Sequence, residues 1–380
     1  MISSAESAEI GICSPLLNSP KDAVTRALKG HGRHGALEMT KLKGGARGMR
    51  CQTVPTMYSP ASYFYTTPNN TKVHYTSSGK GLGPIVLFLH GLGGSTKTFS
   101  RLLPYFPQRH HLVCVDLEGF GETPLNSPST HLSFSRYVSD LHSLITHLQE
   151  PLSATTNGLQ SSTSQSGART DGGEASPKHK QVILVGHSLG SIISLHYAAE
   201  HADKVAGLLI LGVGRSVAGI PAAQERMRAL GSTAREQGME AVAEVAVKTN
   251  FPPDGSCEED VYKVEVRTAV AGCDPKAYAL TAELIASDDH RDPDYSKITC
   301  PAVFVSGDQD ILSPVQRSID VSKMMGGRTA LVVTKGGHQM ILQDLKGVRE
   351  AVYTLLGMIP VASDAEVRNA RPRTEDELLA

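Results

Sequence analysis

VILVGHSLGSIIS, running from Val182 to Ser194, is the stretch whose reading decides this chain. Val182 to Val185 are four apolar residues, three of them β-branched, and read as a buried strand. Ile192, Ile193 and Leu195 then read as the start of a packed helix. Between them sits Gly186-His187-Ser188-Leu189-Gly190, one serine with glycine two residues to either side. A sharp strand-to-helix turn forces such a serine into a strained backbone and lifts its Oγ clear of the sheet. The flanking glycines are needed where the backbone passes close to its neighbours and a Cβ would clash. The bland alternative is a polar residue in a Gly-rich turn. A phosphate-cradling loop would need G-x-x-x-x-G-K-[ST], and no lysine follows Gly190. The dinucleotide fingerprint G-x-G-x-x-G is missing too.

A serine hydroxyl is a weak nucleophile until a base takes its proton, and that base must be held by a third group. The reading of Ser188 therefore demands a carboxylate and a histidine on later strand-to-helix loops. Ser306-Gly307-Asp308-Gln309-Asp310 follows an apolar strand beginning at Ala302. Gly336-Gly337-His338 follows another that ends near Val333. The chain order is Ser188, Asp310, His338, with Asp308 the competing carboxylate. His187 projects elsewhere on a tight turn, and Asp116 and Glu118 read as loop residues because no spaced histidine cluster accompanies them.

With these residues the sequence resembles the α/β-hydrolase superfamily over about 61–360, apart from residues 151–180. The resemblance implies a mostly parallel central sheet flanked by helices. It implies Ser188 as nucleophile, Asp310 as acid and His338 as base, since the family pattern G-x-x-D counts from Gly307 to Asp310. His90-Gly91-Leu92 resembles the family's oxyanion loop, so the backbone N–H groups of Leu92 and Leu189 are the expected oxyanion donors, with His90 orienting the loop. A serine at the elbow argues against epoxide hydrolase and haloalkane dehalogenase chemistry, since those relatives carry aspartate there. Gly238-Met239-Glu240-Ala241-Val242-Ala243 and Asp274-Pro275-Lys276-Ala277-Tyr278 look like the cap helices of 3-oxoadipate enol-lactonases. That implies a small carboxylated lactone or ester as substrate. An anionic substrate calls for a cation, and Arg215, just after a core strand, is the candidate; its other reading is a cap-to-core anchor. The chain has no tryptophan, a departure from many capped relatives.

The expected chemistry is hydrolysis of a small carboxylic ester or lactone through an acyl-enzyme, with no metal and no organic cofactor. An acyltransferase on the same three residues and a non-catalytic ligand-binding homologue are the alternatives. Composition is compatible with the enzyme. Apolar residues make up 40% and charged residues 20% of 380, ordinary for a globular chain. Lysine and arginine total 37 against 38 acidic residues, so no bulk field attracts nucleic acid or an anionic membrane surface. No apolar run is long enough to span a bilayer. The six cysteines form no CxxC pair and no metal-ligand spacing with the fifteen histidines, which fits a reducing compartment.

Alternating strands and helices predict the parallel sheet. Strands are expected at 61–66, 72–77, 85–89, 111–116, 182–185, 205–211, 302–306 and 329–333. Phe134, Tyr137, Val138, Leu141, Leu144, Ile145 and Leu148 share one helical face. Ile341, Leu345, Val348, Val352 and Leu355 predict one final helix. The expected organisation is a disordered extension over 1–56, a core over 57–214 and 296–360, a helical cap over 215–295 and a tail over 361–380. Residues 151–180, rich in Ser, Thr, Gly and Gln, read as a disordered insertion. A cytoplasmic location is expected. A mitochondrial targeting segment is the weaker reading of the basic N-terminal stretch, which carries the acids Glu6, Glu9, Asp22 and Glu38.

Overall fold

Eight strands form one sheet in the order β1-β2-β4-β3-β5-β6-β7-β8. The computed structural model describes residues 60–79, 84–126, 132–150, 181–253 and 259–360. The expectations for 1–56, 151–180 and 361–380 lie outside the described residues. The strands are β1 Ala61–Thr66, β2 Lys72–Ser78, β3 Ile85–Leu89, β4 His111–Val115, β5 Val182–His187, β6 Val205–Leu211, β7 Ala302–Gly307 and β8 Thr329–Thr334. β2 runs antiparallel to β1 and β4, and every pairing from β4 to β8 is parallel.

Parallel strands covered on both faces read as continuous apolar runs, and β3, β5 and β7 are buried along their whole length. Alternate residues of each strand feed opposite faces. Leu87, Leu89, Leu184, Leu208 and Ile210 pack with α1 (Phe134–Gln149) and α2 (Leu189–Glu200). Val86, Phe88, Val185, Leu209 and Val305 pack on the other face with Phe99, Leu103 and the C-terminal helices. Cys114 and Cys300 are free and buried, and burial pushes both thiols up to about 12, so they act as small apolar residues.

Between β6 and β7 the described residues form four α-helices, a short 3-10 helix at Tyr295–Lys297 and no strand: α3 Pro221–Glu236, α4 Met239–Asn250, α5 Glu259–Ala271 and α6 Pro275–Ala286. After β7 come α7 Val315–Met324 and, after β8, α8 Met340–Gln343 and α9 Leu345–Met358. The single final helix expected from apolar spacing is thus two. The chain breaks at Asp344, whose side chain accepts the Gly347 N–H at 3.0 Å and caps α9. Apolar spacing survives the break because Ile341, Val348, Val352 and Leu355 all reach the same core. Among the described residues no helix is long and apolar enough to cross a membrane.

Strand register positions the loops. Leu89 pairs with Gly186, His187 with Leu211, Leu211 with Val305, and Gly307 with Thr334. The carboxyl ends of β3, β5, β6, β7 and β8 therefore share one edge of the sheet, where ligands of open α/β sheets bind.

Candidate active site

Ser188 is the turn between β5 and α2, with φ 52° and ψ −110°. A non-glycine residue there is strained, by about 1–3 kcal/mol. Its N–H continues the sheet by donating to the Leu211 carbonyl at 2.9 Å, and its own carbonyl accepts from Ser191 N–H at 2.9 Å. The glycines permit the turn by close approach. A Cβ on Gly190 would lie 1.9 Å from the Leu89 carbonyl oxygen, and one on Gly186 2.5 Å from the Gly190 oxygen.

The β7 and β8 loops meet beside this turn. His338 Nδ1–H donates to Asp310 Oδ2 at 2.7 Å, and both side chains are buried. The other oxygen, Asp310 Oδ1, accepts the Leu312 and Ser313 N–H groups at 2.8 Å each. Burial opposes ionisation of Asp310, but the His338 charge and the hydrogen bonds from His338, Ser313 and Leu312 outweigh it and hold its carboxyl below the usual range. Asp308 does something else: it accepts the Gly336 N–H at 2.8 Å and ties the two loops together. With Nδ1 protonated, a neutral His338 presents Nε2 as an acceptor. His338 and Ser188 line one cavity.

That cavity has a volume of about 830 Å³ and lies between the strand ends and α3–α6. Leu92, on the β3 loop, and Leu189, the first residue of α2, also line it. The β3 loop passes over the serine so closely that a Cβ on Gly91 would stand 3.1 Å from Ser188 Cβ. His90 holds this loop from beneath. Its Nδ1–H donates to the Gly91 carbonyl at 2.8 Å and its Nε2 accepts the Leu117 N–H at 3.0 Å. Burial lowers its pKa, which keeps the acceptor nitrogen free of a second proton.

Two neighbours fall in the same frame. Asp116 accepts Thr96 N–H at 2.6 Å and Glu122 N–H at 2.9 Å, and bonds His74 Nδ1 at 2.7 Å, so it organises the loops behind the site. Glu118 pairs with Arg136 at 2.8 Å. Arg215 lines the cavity, yet its Nε and Nη2 both donate to Asp292 Oδ2, at 2.9 and 2.6 Å. Ser216 N–H donates to the other Asp292 oxygen at 2.7 Å. Asp292 lies on the segment returning to β7, so this pair joins the exit and re-entry of the helical block.

Sequence spacing passed over four contributors. His187 Nε2–H donates to the His338 carbonyl at 2.9 Å, across 151 positions of chain. Asn250, at the end of α4, accepts His338 N–H on its carbonyl at 2.8 Å and Gln339 Nε2–H on its side chain at 2.7 Å. Arg226 of α3 and Arg317 of α7 enter the same cavity. His187 and Asn250 act through partners far away in the chain, which sequence spacing does not bring together.

Known proteins resemble this chain in sequence or in fold. The chain is 24% identical to (E)-2-((N-methylformamido)methylene)succinate hydrolase of Acinetobacter baylyi, over 77% of this chain and 97% of that protein. An esterase from Thermogutta terrifontis superposes with a TM-score of 0.63 at 18% identity, over 79% of this chain and 100% of the other. The enol-lactonase from Burkholderia xenovorans LB400 does so with a TM-score of 0.60 at 18% identity, over 78% of this chain and all of the other. The family model of the alpha/beta hydrolases matches residues 86–351, from β3 into α9, and the chain belongs to the alpha/beta hydrolase family.

Proposed function

We propose that the protein is a serine hydrolase that cleaves a small carboxylic ester or lactone through an acyl-enzyme. The observation that carries the reading is the buried 2.7 Å pair of His338 and Asp310 on a cavity shared with Ser188, itself held at a positive φ. His338 Nε2 takes the Ser188 proton as Oγ attacks the carbonyl carbon. The Leu92 and Leu189 N–H groups receive the charge that develops on the carbonyl oxygen; one such donor is worth about 10²–10³ in rate. His338 then gives the proton to the departing alkoxide, leaving the Ser188 ester. Water, deprotonated by His338, attacks that ester, and the acid leaves with Ser188 restored. Asp310 keeps Nδ1 protonated and stabilises the imidazolium that forms. Every proton in the cycle is carried by Ser188, His338, water or substrate.

The helices α3–α6 act in this reading as a cap over the serine, and Asn250 links the cap to the His338 loop. The enol-lactonase and the succinate-derivative hydrolase among the similar proteins favour a small ester or lactone over a long acyl chain. Turnover of a panel of short p-nitrophenyl esters and small lactones tests the proposal. Wild type hydrolyses at least one member and Ser188→Ala loses about 10³-fold or more of the rate. Equal rates for the two proteins overturn it.

A further inference from the structure

Three residues at the exit of β6, Gly212-Val213-Gly214, touch both halves of the site. A Cβ on Gly212 would stand 2.9 Å from His338 Cε1 and 3.5 Å from Asp310 Oδ2. A Cβ on Gly214 would stand 3.0 Å from the Ser188 carbonyl oxygen and 2.7 Å from Ile192 Cγ1. Gly212 also takes a φ of 57°, which glycine adopts without steric cost. Val213, between them, is buried in the core. The segment is therefore a spacer, with the base against one glycine and the nucleophile's backbone against the other.

Hydrogen bonds pin it at both ends. On the base side, Gly212 N–H donates to the Val305 carbonyl at 2.9 Å, and the Gly212 carbonyl accepts Ser313 Oγ–H at 3.3 Å. On the nucleophile side the bond is made by Ser191, in the first turn of α2. Its Oγ–H donates to the Ser188 carbonyl at 2.5 Å, and the same oxygen accepts the Gly214 N–H at 2.8 Å. A serine in a helix commonly bonds a carbonyl three or four residues back, with no wider consequence. Ser194 does so, its Oγ–H donating to the Gly190 carbonyl at 2.7 Å. Both serines are fully buried. Ser191 differs because its oxygen also receives a donor from another element.

We propose that Ser191 is a positioning residue: by bridging the Ser188 carbonyl and the Gly214 N–H it fixes the separation of Ser188 Oγ from His338 Nε2. The proposal rests on the serine hydrolase reading and deepens it, by adding a residue that touches neither substrate nor base. Ser188 sits at a φ of 52°, and a strained turn persists only where its surroundings over-determine it. Ser191 supplies part of that constraint. Without its hydroxyl the Ser188 carbonyl loses a donor, the Gly214 N–H loses this acceptor, and the turn is free to shift against the spacer.

The experiment compares Ser191→Ala with Ser194→Ala, each deleting one buried hydroxyl of α2. The readouts are kcat and KM on the p-nitrophenyl ester that wild type hydrolyses best, and the rate of fluorophosphonate labelling of Ser188. Ser191→Ala is expected to lower kcat about tenfold or more with KM within about twofold, since about 1 Å of misplacement at a reacting group can cost 10²-fold. Labelling slows by a similar factor, because it needs the same activated hydroxyl. Ser194→Ala stays within about twofold of wild type in both, its bond being local to α2. If circular dichroism shows Ser191→Ala unfolded, Ser191→Cys, which fills the space with a weaker donor and acceptor, takes its place with the same expected direction. A wild-type kcat and labelling rate in the Ser191 variant, or a loss matched by Ser194→Ala, overturns the positioning role and leaves the hydrolase reading standing. A wild-type protein that turns over no ester and takes no label on Ser188 overturns the hydrolase reading and the positioning role with it.

Discussion

His187 donates its Nε2–H to the backbone carbonyl of His338 at 2.9 Å, so the residue before the elbow serine holds the loop that carries the candidate base. The two rings also stand 4.9 Å apart between centroids. Burial, then the charge of His338, depresses the His187 pKa to about 3. A neutral, donating imidazole is what this bond needs. Removing it frees the His338 loop, and displacements of about 1 Å at a reacting group can cost 10²-fold. His187→Ala is expected to lower kcat about 10- to 100-fold with a smaller change in KM, and His187→Gln, which keeps an N–H donor, to lose less. Circular dichroism separates this from unfolding. Equal kcat in wild type and His187→Ala would remove the positioning role.

Asp310→Asn keeps the volume of the side chain and, through its carbonyl, the contacts to Leu312 and Ser313. An amide N–H facing His338 Nδ1 reverses the tautomer and turns Nε2 into a donor. The expected loss in kcat is roughly 10³- to 10⁴-fold, on the scale of the trypsin-like triad from which that figure comes. Asp308→Asn, which alters only the tie to Gly336, is expected to lose far less. A reversed order of the two variants would move the acid role to Asp308.

Most of the fold was legible because parallel strands announce themselves as apolar runs, and their order leaves little choice of topology. Ile85–Leu89 and Val205–Leu211 match their predicted limits. The break at Asp344 escaped because a capping residue interrupts hydrogen bonding without interrupting apolar spacing. At the site, Asp310 and His338 were legible as residues at strand ends, and the register of β7 and β8 brings them to 2.7 Å. The roles of His187 and Asn250 were not, since their partners lie far along the chain and are set by three-dimensional packing. Arg215 carries two sequence readings, a substrate contact and a cap-to-core anchor, and its bonds to Asp292, 77 residues away, favour the anchor.

The Arg215–Asp292 pair gives a double-mutant cycle. If it anchors the helical block, Arg215→Gln and Asp292→Asn each destabilise the protein, and the double variant costs less than their sum, with a coupling of about 0.5–3 kcal/mol. Urea midpoints check this. Additive losses would return Arg215 to the pool of substrate contacts.

Acid should destabilise the protein well above the carboxylate range. Burial lowers His110 to about 4, His187 to about 3 and His196 to about 4, from 6.5. Between those values and 6.5 the unfolded chain binds protons that the folded chain refuses, so stability is intact above pH 6.5 and falls as pH drops toward 4. Asp310, whose folded pKa is depressed, adds a further loss only below the usual carboxylate range. Urea midpoints at pH 7.5, 6.5, 5.5 and 4.5, about one unit apart across the ordinary imidazole range, should decline steadily. A flat profile down to pH 5 would contradict the buried, neutral histidines.

A fluorophosphonate probe reports whether one hydroxyl in the chain is activated by a base, whatever the natural substrate. Peptide mass spectrometry is expected to find a single stoichiometric adduct on Ser188. Labelling should be abolished in Ser188→Ala and slowed by about 10²-fold or more in His338→Ala. An unlabelled wild-type protein, or an adduct on another residue that persists in Ser188→Ala, would contradict the account.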